Sequence, residues 1–558
     1  MDIDGRWYVD IFKRWLALGL LWMLFVCIPL VWYCARYYEY RWFPLLLMLI
    51  ASLGSLISLI MIGYQRGVRA RFSPAHTTGV SENNRAVKIP MQGSVKTLWE
   101  IASTRKLLRE LDVSRAGRLG DTYLMFVGIK PVVVVNTAEL AQIVSDRYEI
   151  FKKSDPRELS MPFFFRWVGG NNVVLANGEP WHRIRRMTHP PLNTIPAFIP
   201  IFQEKASLLC SSMENLVLAS RDGERSAVFV NRWLKAVSLD SAGEALFGYN
   251  FNHLRDTKNS GIDAMNYVIN EIFNPVRVAF PIVNRLPVKS NAKLVQCMGH
   301  LDRLVMEMIK YIADEKNENS SRENVLQMLM QGKESSLLSE DELRNNIIAM
   351  VLASHETTQV SMSGVLYHLA KYPEYQSKLR GQSREIVAEL EKLPMATSTQ
   401  KSEASILIHK KLRDFHLMGG FILESLRMYS PLANQNPRTS AQHTELNGYQ
   451  IPKGSLISIA IHSIHMNPRE WSRPEIFDPD RFYKEGCDNR YAFLPFGAGA
   501  RICAGKNFSL VEQKIVLCYL LSKFKISLPR DDYEVPILRG SFTGLPSDSY
   551  HLNFECID

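Results

Sequence analysis

The stretch that most constrains this chain is PFGAGARICAG, residues 495–505. It sets a single cysteine, Cys503, among glycine and alanine neighbours, with Arg501 two positions before it and Phe496 near its start. Three kinds of site compete for such a pattern: a loop that cradles phosphate, a redox or zinc cysteine, and a thiolate buried against a metal cofactor.

Spacing argues against the first two kinds of site. A phosphate loop needs G-x4-G-K-[ST], but five residues separate Gly499 from Gly505, and the following lysine precedes asparagine. A redox cysteine needs a resolving partner, and the nearest candidate, Cys518, is fifteen residues away. The eight cysteines form no CxxC pair, which disfavours a zinc cluster. A metal-bound thiolate accounts for more of the residues, because small neighbours let the backbone approach the metal.

Phe496, Gly499, Arg501, Cys503 and Gly505 together form F-x-x-G-x-R-x-C-x-G. On this motif the chain resembles the cytochrome P450 superfamily, in its membrane-anchored, microsomal type found in eukaryotes such as fungi. The resemblance implies a mainly α fold with small β-sheets and a haem b cofactor. The thiolate of Cys503 would be the axial ligand of the haem iron, and Phe496 and Arg501 would contact the haem.

Two further motifs of the family predict a structural triad. Glu424 and Arg427 form ExxR on one helix face, with apolar neighbours that indicate a buried pair. Arg481 belongs to the P-x-R-F element in FDPDRF. The resemblance implies that the three side chains form a cluster of ion pairs, which holds the loop that presents the thiolate.

The longest helical pattern contains ASHETT, residues 353–358. The resemblance implies that Glu356 and Thr357 are the catalytic residues, which pass protons through water towards the oxygen that the haem activates. Ser354 replaces the usual glycine of the family. Its hydroxyl either caps a carbonyl at a local break in the helix or narrows the oxygen groove. Thr358 is expected to support packing.

Arginines elsewhere are candidates for the haem propionates. Trp181 and Arg185 form W-x-x-x-R on a helix, and the resemblance implies that both bind a propionate. Arg438, in NQNPRTS, stands where many members of the family place another propionate ligand. Arg183 and Arg186, close to Arg185, predict a basic face that would attract an acidic redox partner.

The N-terminal region differs from the rest of the chain. Two uncharged runs, 15–35 and 42–65, are each long enough for the roughly 20-residue helix that crosses a bilayer. Aromatic residues at their ends and basic residues outside them favour a helical hairpin with both ends in the cytosol. The prediction is a membrane anchor over 1–65. One span plus an interfacial segment is the alternative, and a signal peptide is disfavoured because no small-residue cleavage site follows.

The catalytic domain is predicted over 75–556. Strand patterns at 123–128 and 131–136 form a hairpin, helical periods continue to about 430, and strands return near the C-terminus. The net charge is +10 without a lysine and arginine block of the kind that binds nucleic acid. No nucleic-acid partner is therefore expected.

The resemblance implies a monooxygenase that inserts one oxygen atom from O2 into a steroid, fatty acid or terpenoid. Aromatic and aliphatic pocket segments such as 161–172 agree with a lipophilic substrate. Electrons would come from NADPH through a separate cytochrome P450 reductase, with cytochrome b5 as a second candidate donor. The enzyme would lie on the endoplasmic reticulum membrane, with its catalytic domain in the cytosol. Two rivals stay open: an isomerase or lyase that acts on a peroxide, against which Glu356 and Thr357 argue, and a haem sensor without activity.

Overall fold

The structure, a computed structural model, describes residues 59–72, 89–92, 108–127, 130–159, 161–219, 225–255, 260–274, 277–278, 281–315, 324–485, 489–535, 546–547 and 549–557. These residues are mainly helical, and their strands form sheets of six, three and two strands. The predicted mainly α fold with small β-sheets is confirmed.

The elements are numbered here in chain order. Helices α1 to α16 are 59–70, Leu108–Leu119, Ala138–Asp146, Pro162–Val168, Gly178–Leu192, Ile199–Leu218, Val230–Phe247, Ser260–Ile272, Lys289–Glu315, Val325–Glu334, Glu340–Lys371, Pro373–Leu390, Ser398–Asp414, His416–Met428, Ile461–His465 and Lys506–Lys523. Strands β1 to β11 are Met91–Gln92, Thr122–Val127, Lys130–Val135, Phe151–Lys153, Arg225–Val228, Arg438–Ser440, Thr444–Leu446, Tyr449–Ile451, Leu456–Ile459, Phe524–Ser527 and Leu552–Cys556.

The chain forms two compact units, and the smaller one contains the larger sheet. Its described residues fall within 59–106, 110–154 and 436–460. The six strands follow the order β1-β2-β3-β9-β6-β4. Strands β2 and β3 form the predicted hairpin, in which Thr122 pairs with Val135. The valine run of β3 is buried along its length, as expected for a strand covered on both faces.

The larger unit holds most of the helices and the three-stranded sheet β10-β11-β5. Its longest helix, α11, has 32 residues and packs against α7, α10, α14 and α16. The helix begins at a capping box in which Ser339 and Glu342 satisfy each other's backbone N–H groups. It ends before Pro373, which starts α12. The chain's helical core is therefore arranged around the segment that carries ASHETT.

Most of the predicted membrane anchor lies outside the described residues, which begin at 59. Only the end of the second uncharged run falls within them, as the start of α1. Tyr64 on this helix is fully buried, and its ring packs edge-on against Phe126 of β2 at 6.0 Å between centroids. Among the helices of the described ranges, none combines the length and the hydrophobicity that a bilayer span requires.

Candidate functional site

The loop before Cys503 is closed by one backbone hydrogen bond. The Cys503 N–H donates to the Phe496 carbonyl at 2.9 Å. Between these residues, Gly497 and Gly499 have φ of 68° and 67°, in the left-handed region that glycine adopts without strain. Gly505 differs, because its φ is negative and a Cβ there would meet no atom within 4 Å. The backbone conformation therefore requires glycine at positions 497 and 499, whereas there is room for a side chain at Gly505.

Cys503 is accessible, and its surroundings act on its thiol in opposite directions. The residue is exposed, while burial raises the pKa of the thiol. Backbone N–H groups of Gly505 and Lys506, at the start of α16, and the positive charge of Arg185 oppose this rise. Such N–H donors stabilise a thiolate that binds a metal. This donor set fits the thiolate-bound haem that the resemblance implies.

Helix α5 and the cysteine loop lie together. Arg185 donates from Nη2 to the Ile502 carbonyl at 3.1 Å, next to the cysteine. The guanidinium of Arg501 lies over the Trp181 ring, 3.9 Å from its centroid, and donates to the Ala176 carbonyl at 2.6 Å. The structure thus brings the predicted ligands Trp181, Arg185, Arg501 and Cys503 to one place.

Arg438 belongs to the smaller unit and is almost fully buried, with 1% of its surface exposed. Its Nη1 donates to the Phe151 carbonyl at 3.1 Å. No hydrogen-bond partner for Nε and Nη2 exists among the described residues. Burial lowers the pKa of this guanidinium to about 10. A buried cation of this kind requires an anion, and the two open N–H groups suit a carboxylate.

The ASHETT segment forms part of an unbroken helix. Thr357 Oγ1 donates to the Ala353 carbonyl at 2.8 Å, and Ser354 Oγ donates to the Val351 carbonyl at 3.2 Å. The local break expected here is not seen, because α11 is continuous and both hydroxyls bond carbonyls of the preceding turn. Glu356 is buried, whereas Ala353 is exposed. The small side chain of Ala353 therefore marks the open face of the helix.

The structural triad is compact and buried. Glu424 and Arg427, both fully buried, form a two-pronged pair through Nε at 2.8 Å and Nη2 at 2.7 Å. Arg481 Nε lies 3.4 Å from the same carboxylate. The Asp478 N–H also donates to it, at 2.9 Å. The three predicted side chains are thus brought together, and the carboxylate is satisfied from several sides.

Sequence reasoning missed a set of hydrogen bonds that joins α11 to α16. Thr358 Oγ1 and Ser509 Oγ lie 3.0 Å apart, and Gln513 donates to the same Ser509 oxygen at 3.0 Å. Ser361 donates to Gln513 Oε1 at 2.7 Å. Thr358 therefore takes part in a polar link between the two helices as well as in packing. Polar residues at spacings of three and four on mostly apolar helices were the available signal.

The basic face expected on α5 is smaller than the sequence suggests. Arg183 donates to Glu342 of the α11 capping box at 2.7 Å, and its side chain is only 28% exposed. The ion pair joins residues that are 159 positions apart, and no local sequence pattern predicts it. Arg186 is exposed and remains available to a partner.

The chain is similar to cytochromes P450 over most of its length. The family model described as Cytochrome P450 matches residues 90–554. Similar proteins include cytochrome P450 4A6 of Oryctolagus cuniculus, 26% identical over 73% of this chain and 78% of the relative. Cytochrome P450 3A18 of Rattus norvegicus is 26% identical over 75% and 82%. Cytochrome P450 4c21 of Blattella germanica is 25% identical over 72% and 79%.

Proposed function

Because this chain belongs to the cytochrome P450 family, whose enzymes are monooxygenases that use haem b with a cysteine thiolate ligand, we propose that Cys503 supplies that thiolate. The observation that carries the assignment is the accessible Cys503 thiol, towards which the N–H groups of Gly505 and Lys506 are directed. Cys210 and Cys518 in the same unit are buried, and burial strongly raises the pKa of each thiol. Neither has the environment of a metal ligand.

The bound haem supplies the activation of O2, and the residues around Cys503 hold it in place. The N–H groups at the start of α16 stabilise negative charge on the sulfur. Arg185 and Arg501 supply positive charge for the propionates, and the Trp181 ring fixes the guanidinium of Arg501 by stacking. Arg438 in the smaller unit stays a prediction, supported by its own unpaired N–H groups.

Glu356 and Thr357 are the proposed route for protons. The Thr357 hydroxyl donates its own hydrogen to the Ala353 carbonyl. Both lone pairs on Oγ1 are then free to accept hydrogen bonds from water at the open face of α11. Glu356, the preceding residue, is buried and would supply protons to that water. Thr357 therefore positions the water, and Glu356 is the acid.

The proposed substrate is a lipophilic small molecule of the steroid, fatty acid or terpenoid class. Met161, Phe163 and Phe164 are half-buried at the start of α4. The rings of Phe164 and Phe273 lie 5.6 Å apart. Such aromatic surfaces suit an apolar ligand. Electrons would reach the haem from NADPH through a separate reductase, with cytochrome b5 as a second donor, and the enzyme would be held at the endoplasmic reticulum by residues 1–65.

The test is the ferrous minus ferrous-CO difference spectrum of the membrane-expressed protein. A strongly red-shifted Soret band would show a thiolate on iron, and the Cys503→Ser variant should lack it. Reconstitution with reductase and NADPH would then test product formation from lipophilic substrates. Turnover of a peroxide without reductase would indicate the isomerase or lyase instead. A band typical of histidine ligation would contradict the thiolate assignment.

A further inference from the structure

His465 uses both ring nitrogens and is fully buried. Its Nε2 accepts the Leu494 N–H at 2.8 Å, and its Nδ1 lies 3.0 Å from the Arg427 carbonyl. The Leu494 N–H can only donate and the Arg427 carbonyl can only accept. Nε2 must therefore carry no proton, and Nδ1–H is the donor to Arg427. The two partners fix one neutral tautomer of the ring.

The two bonds join the buried triad to the cysteine loop. Arg427, whose guanidinium holds Glu424, also donates from Nη1 to the His465 carbonyl at 2.8 Å, so Arg427 and His465 are bonded in both directions. On the other side, the Leu494 carbonyl accepts the N–H of Gly497 at 2.9 Å. Leu494 thus begins the turn that leads to Phe496, whose carbonyl accepts the Cys503 N–H.

The surroundings hold the imidazole in place. The His465 ring stacks on Phe493 with centroids 5.5 Å apart and planes inclined by 24°. Burial lowers the pKa of His465 to about 3, and the charge of Arg427 contributes to the decrease. The ring is therefore uncharged at neutral pH, and it keeps both hydrogen bonds there.

We propose that His465 is a positioning residue that fixes the start of the cysteine loop against the Glu424 and Arg427 pair, and thereby sets how the Cys503 sulfur meets the haem iron. The inference rests on the proposed function, in which Cys503 is the ligand. His465 does not touch the haem. It acts through the Leu494 backbone, because its two ring nitrogens join the buried triad to the residue at which the turn into the loop begins.

Two amide substitutions separate the two bonds. The side-chain nitrogen and oxygen of asparagine lie as far from Cα as Nδ1, and those of glutamine as far as Nε2. His465→Asn therefore keeps a donor for the Arg427 carbonyl and loses the acceptor for Leu494. His465→Gln keeps that acceptor. His462→Asn, on the same short helix α15, is the matched control for placing an amide there.

The first measurement is the ferrous-CO spectrum, normalised to bound haem. In His465→Asn, the fraction of bound haem that shows the CO band of iron without a thiolate ligand is expected to be several-fold larger than in the wild type. In His465→Gln and His462→Asn this fraction should stay near the wild-type value. The second is hydrogen exchange in the protein as purified, where peptides over 494–503 should exchange faster in His465→Asn than in His465→Gln. Equal spectra and equal exchange in the two His465 variants would overturn the inference.

The outcome separates this inference from the proposed function. If the wild type lacks the red-shifted band, the assignment of Cys503 fails, although the exchange experiment still tests the link to the loop. If the wild type has the band and Cys503→Ser loses it, the function stands, and equal behaviour of the two His465 variants removes His465 alone. If neither His465→Asn nor His465→Gln folds, His465→Phe, which keeps only the ring stacking, should not fold either and should show no thermal unfolding transition. A folded His465→Phe variant with a normal thiolate-type band would overturn the proposal.

Discussion

The cluster formed by Glu424, Arg427 and Arg481 and the loop that carries Cys503 differ in how their charged groups are neutralised. In the cluster, Glu424 and Arg427 are fully buried, and the guanidinium bonds the carboxylate and backbone carbonyls. In the loop, the Cys503 thiol is accessible and Arg185 is half-buried. A buried charge is tolerated where the protein itself satisfies it. The cluster is therefore complete as scaffold, whereas the loop leaves its sulfur open to a ligand.

Replacing the open sulfur should have the largest effect. Cys503→Ser is expected to reduce monooxygenation to background and to remove the thiolate-type CO band, because a serine hydroxyl stays protonated and is a poor ligand. Cys518→Ala, in the same helix-rich unit and fully buried, is the control and should keep the band. A Cys503→Ser variant with normal turnover would remove the distinction between the two regions.

Breaking the closed cluster should mainly cost stability. Glu424→Gln leaves the buried Arg427 without its carboxylate, which costs about 3–5 kcal/mol in comparable buried pairs. Chemical denaturation and haem retention would measure the loss. The control is Asp480→Asn, which removes the exposed pair with Lys484 and should hardly change stability. Equal effects of the two substitutions would show that burial does not distinguish the cluster.

Changing the proton route should spare both regions. Thr357→Ala is expected to keep the haem and the CO band, while product formed per NADPH falls several-fold, because the water that carries the proton loses the hydroxyl that positions it. Thr357→Ser retains a hydroxyl and should recover most of the coupling. Product and peroxide measured against NADPH consumption would decide. Unchanged coupling in Thr357→Ala would remove Thr357 from the route.

Glu512 differs from Glu424, because it is equally buried and no cation pairs with it among the described residues. Burial raises the pKa of Glu512 well above its ordinary value, with the Ser241 hydroxyl opposing the rise. The folded protein keeps a proton that the unfolded chain releases above about pH 4, so this group lowers stability as pH rises towards its folded pKa.

The matched substitution is Glu512→Gln, which removes the titrating group and keeps the shape. The thermal midpoint of the variant relative to the wild type should rise by a few degrees between pH 5 and pH 8. Glu424→Gln should show no such relative gain. A difference between Glu512→Gln and wild type that is constant with pH would contradict a protonated Glu512.

The chemistry of the site could be predicted from the sequence where it depends on neighbours in the chain. The cysteine motif occupies ten residues, and Gly497 and Gly499 stand where the backbone is left-handed. The hairpin of β2 and β3 follows from a short break between two apolar runs. The ExxR spacing places Glu424 and Arg427 on one helix face whatever the rest of the fold.

Pairings between distant residues were decided by the tertiary structure. Arg183 meets Glu342 across 159 positions, Thr358 meets Ser509 across 151, and His465 meets Leu494 across 29. None of these side chains differs in kind from surface residues of the same type. Their partners are set by how the helices pack around α11, because burial obliges each polar group to find a hydrogen bond wherever packing places it. The local motif was enough to predict Cys503 as the source of the thiolate, whereas the contacts that hold its loop depend on packing between distant segments.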